Sequence, residues 1–399
     1  MDQKETAKQF VVCMMAAISA LHLLTSCNAQ NNENKIPGTQ LFTQAPGSPI
    51  SINCAPGNIA LGDLNRDGNP DLVAACGQSR QIVILTGDGT GRFQTLAGSL
   101  IAVPDFPHEI AIADLNNDST LDIVFASHDS YNITILSGDG QGGFTVSPNS
   151  PVVMKNGSHP HTHGLAIGDL NKDGKHDLVT GNNADNDVAV ALGDGNGGFT
   201  KAKDSPFPVG QAPYPLAIGD VNNDLNPDIV ASSTLQGGQP GRSLTLLLGD
   251  GLGGFQRSPV PVRTNNPGYV SIGDINGDQN PDLVATHLER NELTVLLGDG
   301  RGNFIESAAS PFNLGHSAWQ VEIKDINHDG KPDILAAAGK GVRVMLGDGH
   351  GFFSQSPGSP YSTGEGAWRF AIGDINADNK PDIATSNLDS KTVTVLLGK

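Results

Sequence analysis

The pattern Asp-x-Asn-x-Asp-x-x-x-Asp occurs seven times, beginning at Asp63, Asp114, Asp169, Asp220, Asp274, Asp325 and Asp374, at steps of 51, 55, 51, 54, 51 and 49 residues. Three carboxylates in one short turn repel each other unless a cation lies among them. A hard dication such as Ca²⁺ takes about six to eight oxygens. Side chains at positions 1, 3, 5 and 9 and the main-chain carbonyl at position 7 would supply them. The first four sets are Asp63, Asn65, Asp67, Asn69 and Asp71; Asp114, Asn116, Asp118, Thr120 and Asp122; Asp169, Asn171, Asp173, Lys175 and Asp177; and Asp220, Asn222, Asp224, Asn226 and Asp228. The other three are Asp274, Asn276, Asp278, Asn280 and Asp282; Asp325, Asn327, Asp329, Lys331 and Asp333; and Asp374, Asn376, Asp378, Lys380 and Asp382. Up to seven Ca²⁺ ions are the expectation. Cys and His are absent from these positions, which argues against zinc or copper in the loops. The alternative is that Asp and Asn cap seven hairpins without metal. Position 6 needs a sharp turn suited to Gly, as at Gly68, Gly174 and Gly330, with Asn379 tolerable. Ser119, Leu225 and Gln279 depart from this, so their loops are expected to bind more weakly or to turn differently.

A second set of residues shares a repeat position. Six before each leading Asp stand Gly57, His108, His163, Tyr214, Gly268, Trp319 and Trp368. Both tryptophans of the chain fall here. Five residues beyond the last loop Asp come Ser127, Asn182, Ser233, His287 and Asn387. Aromatic faces beside small polar groups suit a sugar ring or a peptide, making His108, His163, Tyr214, Trp319 and Trp368 ligand-binding candidates. Packing between repeats is the competing explanation. His159, His161 and His163 alternate on one segment and could hold a transition metal, or form a solvated loop. The Gly-rich stretch Gly237–Gly241 is expected to project as contact surface.

The elements that must carry these residues are strands. An alternating segment such as 165–169 (LAIGD) enters each acidic loop and a β-rich one such as 281–285 (PDLVA) leaves it. A third run ends in Gly-Asp-Gly, followed by Gly-x-x-Phe and a Ser-Pro-rich stretch. Four short strands, A to D, repeated seven times predict an all-β, seven-bladed β-propeller of antiparallel blades. The last unit stops after strand C, while 42–51 (FTQAPGSPIS) nearly copies 353–362 (FSQSPGSPYS). The N-terminal segment is therefore predicted to supply strand D of blade 7 and close the ring, leaving no long sheet edge there. Acidic loops joining A to B would lie on one face, and the ligand candidates on the other.

Residues 38–399 resemble the FG-GAP/VCBS propellers, which include the integrin α-subunit head and many bacterial surface proteins. The resemblance rests on the acidic loop, the Gly-Asp-Gly-x-Gly-x-Phe segment after strand C, and seven copies in register. It implies a calcium-binding module for adhesion or recognition.

Composition agrees. The formal charge of -18, with Gly 50 and Pro 25, suits a turn-rich acidic protein and argues against nucleic-acid binding. Lys4 and Lys8 precede the apolar run Phe10–Leu24, too short for a span and suited to a signal peptide over 1–26. Leu24-Thr25-Ser26-Cys27 resembles the lipobox of bacterial lipoproteins, with acylation on Cys27 implied; a plain secretory cleavage near Ala29 is the alternative. Residues 27–37 would then be the lipidated Cys and a flexible tether, and membrane contact would run through the lipid only. Cys54 and Cys76 remain, able to bridge in an oxidising compartment or to stand as two buried thiols.

Motifs for catalysis are missing: there is no Gly-x-Ser-x-Gly, His-Glu-x-x-His or P-loop. Glu109, Glu322 and Glu365 lie near the expected channel mouth but in different repeats. The leading expectation is a monomeric, extracytoplasmic binding module for glycan or protein. The alternatives are a polysaccharide lyase or hydrolase, or a structural scaffold.

Overall fold

The computed structural model describes residues 39–95, 98–236 and 239–399, all within a compact unit spanning Gly38–Lys399. The leader, tether and Cys27 lie outside the described residues. No described helix is long and apolar enough to cross a membrane.

Seven antiparallel sheets form the blades of a propeller. Blade 2 is representative, with strand A at Pro107–Ala113, B at Asp122–Ser127, C at Asn132–Gly138 and D at Phe144–Val146. Strand A of each blade packs against the A strands of its neighbours, so the A strands form the innermost ring. Strand B is buried on both faces: every residue of Asp122–Ser127 is at most 1% exposed. The apolar clusters lie between blades. One joins Leu72, Ala74 and Val83 of blade 1 to Ala384, Val393 and Val395 of blade 7.

The ring closes as the overhang predicts. Phe42–Gln44 pairs antiparallel with the last strand, Thr392–Gly398, in the register Phe42↔Gly398. Ile50–Ser51 pairs with the start of the same strand.

That second pairing recurs in every blade and was not foreseen. The outer edge of each sheet is split into strand D and a two- or three-residue segment, such as Val152–Val153, both paired with strand C. The Ser-Pro stretch fills the gap. A strand C amide left without a backbone acceptor instead donates to a serine hydroxyl. The pairs are Ile135 N to Ser150 Oγ at 3.1 Å, Val190 to Ser205 at 2.9 Å, Val295 to Ser310 at 2.8 Å, Val344 to Ser359 at 2.9 Å and Val395 to Ser48 at 2.8 Å. Each of these five Ser-Pro bonds is cis.

Cys54 and Cys76 are joined as a disulfide, with Cα atoms 5.9 Å apart. It ties the segment leading into blade 1 to the end of that blade's strand B. Of the Gly237–Gly241 stretch, Gln239–Gly241 is the start of a long paired strand. Strands Asp228–Gln236 and Gln239–Gly249 remain paired out to Gln236↔Gln239, and the tip residues 237–238 lie outside the described ones.

Candidate functional site

All seven acidic loops take one conformation. Position 6 is left-handed throughout, including Ser119 (φ 66°), Leu225 (φ 68°) and Gln279 (φ 66°). The departures from Gly therefore do not alter the turn. Position 4 is left-handed as well, from Asn117 (φ 56°) to Gly277 (φ 76°), which the sequence reading missed. Hydrogen bonds explain the constancy. In loop 4 the leading Asp220 accepts from the amides of Asp224 at 3.2 Å and Leu225 at 2.8 Å. Asn222 Oδ1 accepts from the same Asp224 amide at 3.1 Å, and Asp224 accepts from Asn226 N at 2.8 Å. Side-chain oxygens of positions 1, 3 and 5 are thus wound around one turn, half-buried to exposed.

Position 9 is different. Asp71, Asp122, Asp177, Asp228, Asp282, Asp333 and Asp382 are 0–1% exposed. In Asp71 one carboxylate oxygen accepts from Leu64 N at 3.0 Å and the other from Gly87 N, at the end of strand C, at 2.9 Å. The same pair of bonds recurs in the other loops, as for Asp382 with Ile375 and Gly398. The Gly that opens Gly-Asp-Gly is required here, because a Cβ on Gly87 would collide with the Pro70 carbonyl. Burial pushes these seven carboxyls upward, to about 6 in Asp228 and Asp333, with the loop's other carboxylates adding to the rise. The loops gather oxygen donors only, with more negative charge than their own lysines offset, which fits a hard cation. Their three carboxylates are not drawn within 4.8 Å of one another. Among the described residues, that spacing is met by one histidine cluster alone.

At the opposite ends of the A strands, bulges reshape the surface. Strand register shifts between Pro107 and Glu109, Ala318 and Gln320, and Ala367 and Arg369, leaving His108, Trp319 and Trp368 as the extra residues. The residues after two of these bulges, Glu109 and Arg369, are brought together, while Gln320 bonds the backbone of Phe370 in the next blade. Arg369 and Glu109, from blades 7 and 2, form a buried ion pair at 2.9 Å, with side chains 4% and 10% exposed. Glu109 also accepts from Asn58 Nδ2 and, at 3.4 Å, from Tyr269 OH. The Arg369 guanidinium lies 4.0 Å over the Tyr269 ring and donates to the carbonyls of Trp319 at 2.5 Å and Trp368 at 3.4 Å. Burial raises Glu109 and lowers Arg369, and each partner opposes the other's shift. Five blades are thereby cross-tied near the axis. None of these five-before-loop residues was picked out as a repeat position, because each is a different amino acid.

The predicted ligand candidates meet in neighbouring pairs. Trp319 and Trp368 stack at 4.2 Å and 19°, both half-buried. His163 stacks on Tyr214 at 4.1 Å and meets His108 edge-on at 4.6 Å. His163 is only 3% exposed and so offers no surface to a glycan or peptide, whereas the tryptophans are half-buried and keep open surface. Asn182, His287 and Asn387 do not accompany them. They are buried and bond along their own blade, to Asp187, Thr294 and Thr392. Of the alternating histidines, His161 and His163 face each other and His159 is exposed, bonded to Ser158. Burial holds His161 down to about 4 and lowers His108 and His163 too.

An FG-GAP-like repeat matches residues 63–125, 114–180, 169–231, 274–336 and 325–385, more than half of the chain. The chain belongs to the FG-GAP-like repeat family. Each FG-GAP match begins at a leading loop Asp and runs through the following loop. No curated relative matches the sequence significantly. Among solved structures, this FG-GAP propeller is similar to BBS1N in complex with ARL6DN, at 13% identity and TM-score 0.60, covering 91% of this chain and 98% of that one. It is also similar to an Agrocybe aegerita lectin that recognises non-reducing terminal N-acetylglucosamine, at 18% identity, TM-score 0.55 and 86% coverage of each chain. A putative 6-phosphogluconolactonase from Bacteroides fragilis follows at 15% identity and TM-score 0.57, with 80% and 95% covered. At these identities the likeness is one of fold.

Proposed function

We propose that this FG-GAP propeller is an exported binding module, anchored by lipid on Cys27, whose acidic loops hold Ca²⁺ and whose opposite face takes a glycan or protein. The paired tryptophans carry the reading. Trp319 and Trp368 are half-buried and mutually stacked, and their carbonyls are held by a buried arginine. Such a rigid aromatic surface suits stacking against the apolar face of a sugar or a flat peptide segment. A calcium ion in each loop would neutralise the clustered carboxylates of positions 1, 5 and 9 and so stiffen the A–B turns. The Cys54–Cys76 bridge agrees with an oxidising compartment. A scaffold role would use the same face with a protein partner. Of the carboxylates open to the polysaccharide-degrading alternative, Glu109 is engaged by Arg369, Asn58 and Tyr269, and Glu365 pairs with Lys340.

The test is a glycan-array screen of the purified chain in calcium, followed by titration of the hits against Trp319→Ala and Trp368→Ala. Each substitution is expected to weaken binding about tenfold or more, or about 1.4 kcal/mol. Undiminished binding by both variants refutes the tryptophan surface.

A further inference from the structure

We propose that His128, His161 and His163 form a binding site for one transition-metal ion of the Zn²⁺ class, separate from the acidic loops. His161 and His163 lie at the start of blade 3 strand A, and His128 directly follows blade 2 strand B, so the site bridges two blades. One ligand nitrogen from each ring lies within 4.8 Å of the others. The Nε2 atoms of His161 and His163 are 2.6 Å apart. The ring centroids are 4.5 Å apart for His128 with His161, 4.5 Å for His161 with His163, and 5.1 Å for His128 with His163.

Two further observations point to a ligand. The first is an oriented ring: His128 Nδ1 lies 2.7 Å from Asp129 Oδ1. A carboxylate there holds the proton on Nδ1 and leaves Nε2 with its lone pair free, the arrangement that orients metal-bound histidines. The second is an unmet one: Nδ1 of buried His163 has no hydrogen-bond partner, nor does that of neighbouring His108. Nε2 of His161 and Nε2 of His163 face each other at 2.6 Å, so either one of them carries the proton or both turn lone pairs on a shared cation. A cation that accepts lone pairs resolves the crowding.

The chemistry selects the ion. Three neutral nitrogens with no carboxylate or thiolate in the set suit Zn²⁺, Co²⁺, Ni²⁺ or Cu²⁺, and are poor for Ca²⁺ or Mg²⁺. His128 and His161 are half-buried, His128 with 16% of its side chain exposed, which leaves the ion a way in. Three protein ligands leave a fourth position for water or for a donor atom of a bound molecule. The site lies at the same end of the A strands as the tryptophan pair.

The test uses the full chain, stripped with chelator and returned to excess Ca²⁺ so that the acidic loops are not available to the probe. Co²⁺ is titrated by its visible absorption and Zn²⁺ by calorimetry. One equivalent is expected, with four-coordinate Co²⁺ bands. His161→Ala and His128→Gln should each weaken binding more than about 100-fold, Asp129→Asn about 10- to 100-fold, and His159→Ala not at all. Circular dichroism checks the fold of each variant. Should His161→Ala not fold, His128→Gln, at a half-buried position outside the strands, carries the same test. Absence of a one-equivalent site, or equal affinity in wild type and His128→Gln, overturns the proposal.

Discussion

Replacing Arg369 by Met removes the guanidinium paired with Glu109 while keeping much of the side-chain volume. Glu109 is then left buried with Asn58 and Tyr269 as its remaining donors, and the carbonyls of Trp319 and Trp368 lose the guanidinium. Breaking a buried pair from one side costs about 3–5 kcal/mol, because the surviving charge is uncompensated. The lost contact with the Tyr269 ring adds to this. Arg369→Met is therefore expected to destabilise the chain by about 4 kcal/mol in equilibrium urea denaturation with calcium held constant. Glu109→Gln should rescue it: the double variant Glu109→Gln/Arg369→Met has no buried charge at this point and should recover more than half of the loss. Near-ultraviolet circular dichroism reports separately on the stacked tryptophans, whose signal should fall in the single variant. A single variant within about 1 kcal/mol of wild type, or a double variant no better than the single, refutes the assignment of this pair as a buried cross-tie.

Three other outcomes follow from the loops. If each acidic loop holds Ca²⁺ at about a hundred times its dissociation constant, each contributes about 2.7 kcal/mol; EGTA should lower Tm sharply, and an unchanged Tm counts against bound calcium. In EGTA the pH dependence should run opposite to the usual one. Asp228 and Asp333 sit near 6 in the fold, above an unfolded value of about 3.9, so their contribution is complete below pH of about 4 and is lost as pH rises through 6. Stability in EGTA should thus fall from pH 5 to 7.5 by about 1.4 kcal/mol for each, and Asp333→Asn should reduce that slope; a slope identical in wild type and Asp333→Asn refutes it. Leu225 is 79% exposed with φ 68°, so Leu225→Gly trades a left-handed cost of about 1–2 kcal/mol against a chain-entropy loss of about 0.5–1 kcal/mol. The variant should be more stable by roughly 0.5–1 kcal/mol in urea denaturation, and a loss of stability refutes the strain argument.

The repeat period and the copied overhang made the blade count, the ring and its closing strand readable without coordinates, because each is a property shared by every unit. What escaped was specific to single blades. Arg369, Glu109, Asn58 and Tyr269 share a repeat position yet share no chemistry, so periodicity could not mark them. Glu109 and Arg369 follow bulges at His108 and Trp368, and Tyr269 lies inside another between Pro267 and Val270, which break the two-residue alternation. His128 went unremarked because its two partners lie over thirty residues on, in the next blade. The loops of Ser119, Leu225 and Gln279 were expected to bind more weakly or to turn differently; the turn is unchanged, because a left-handed residue costs less than the set of amide–carboxylate bonds that it retains.

The cystine between Cys54 and Cys76 has a consequence for the order of assembly. Both sulfurs belong to the first blade, so they can couple while the seventh is still unmade. The coupled segment then holds Phe42–Gln44 near its final place as an unpaired edge, waiting for Thr392–Gly398. Until that partner arrives the edge is open to the same strand from another molecule, so reciprocal strand exchange between two copies has its natural seam here.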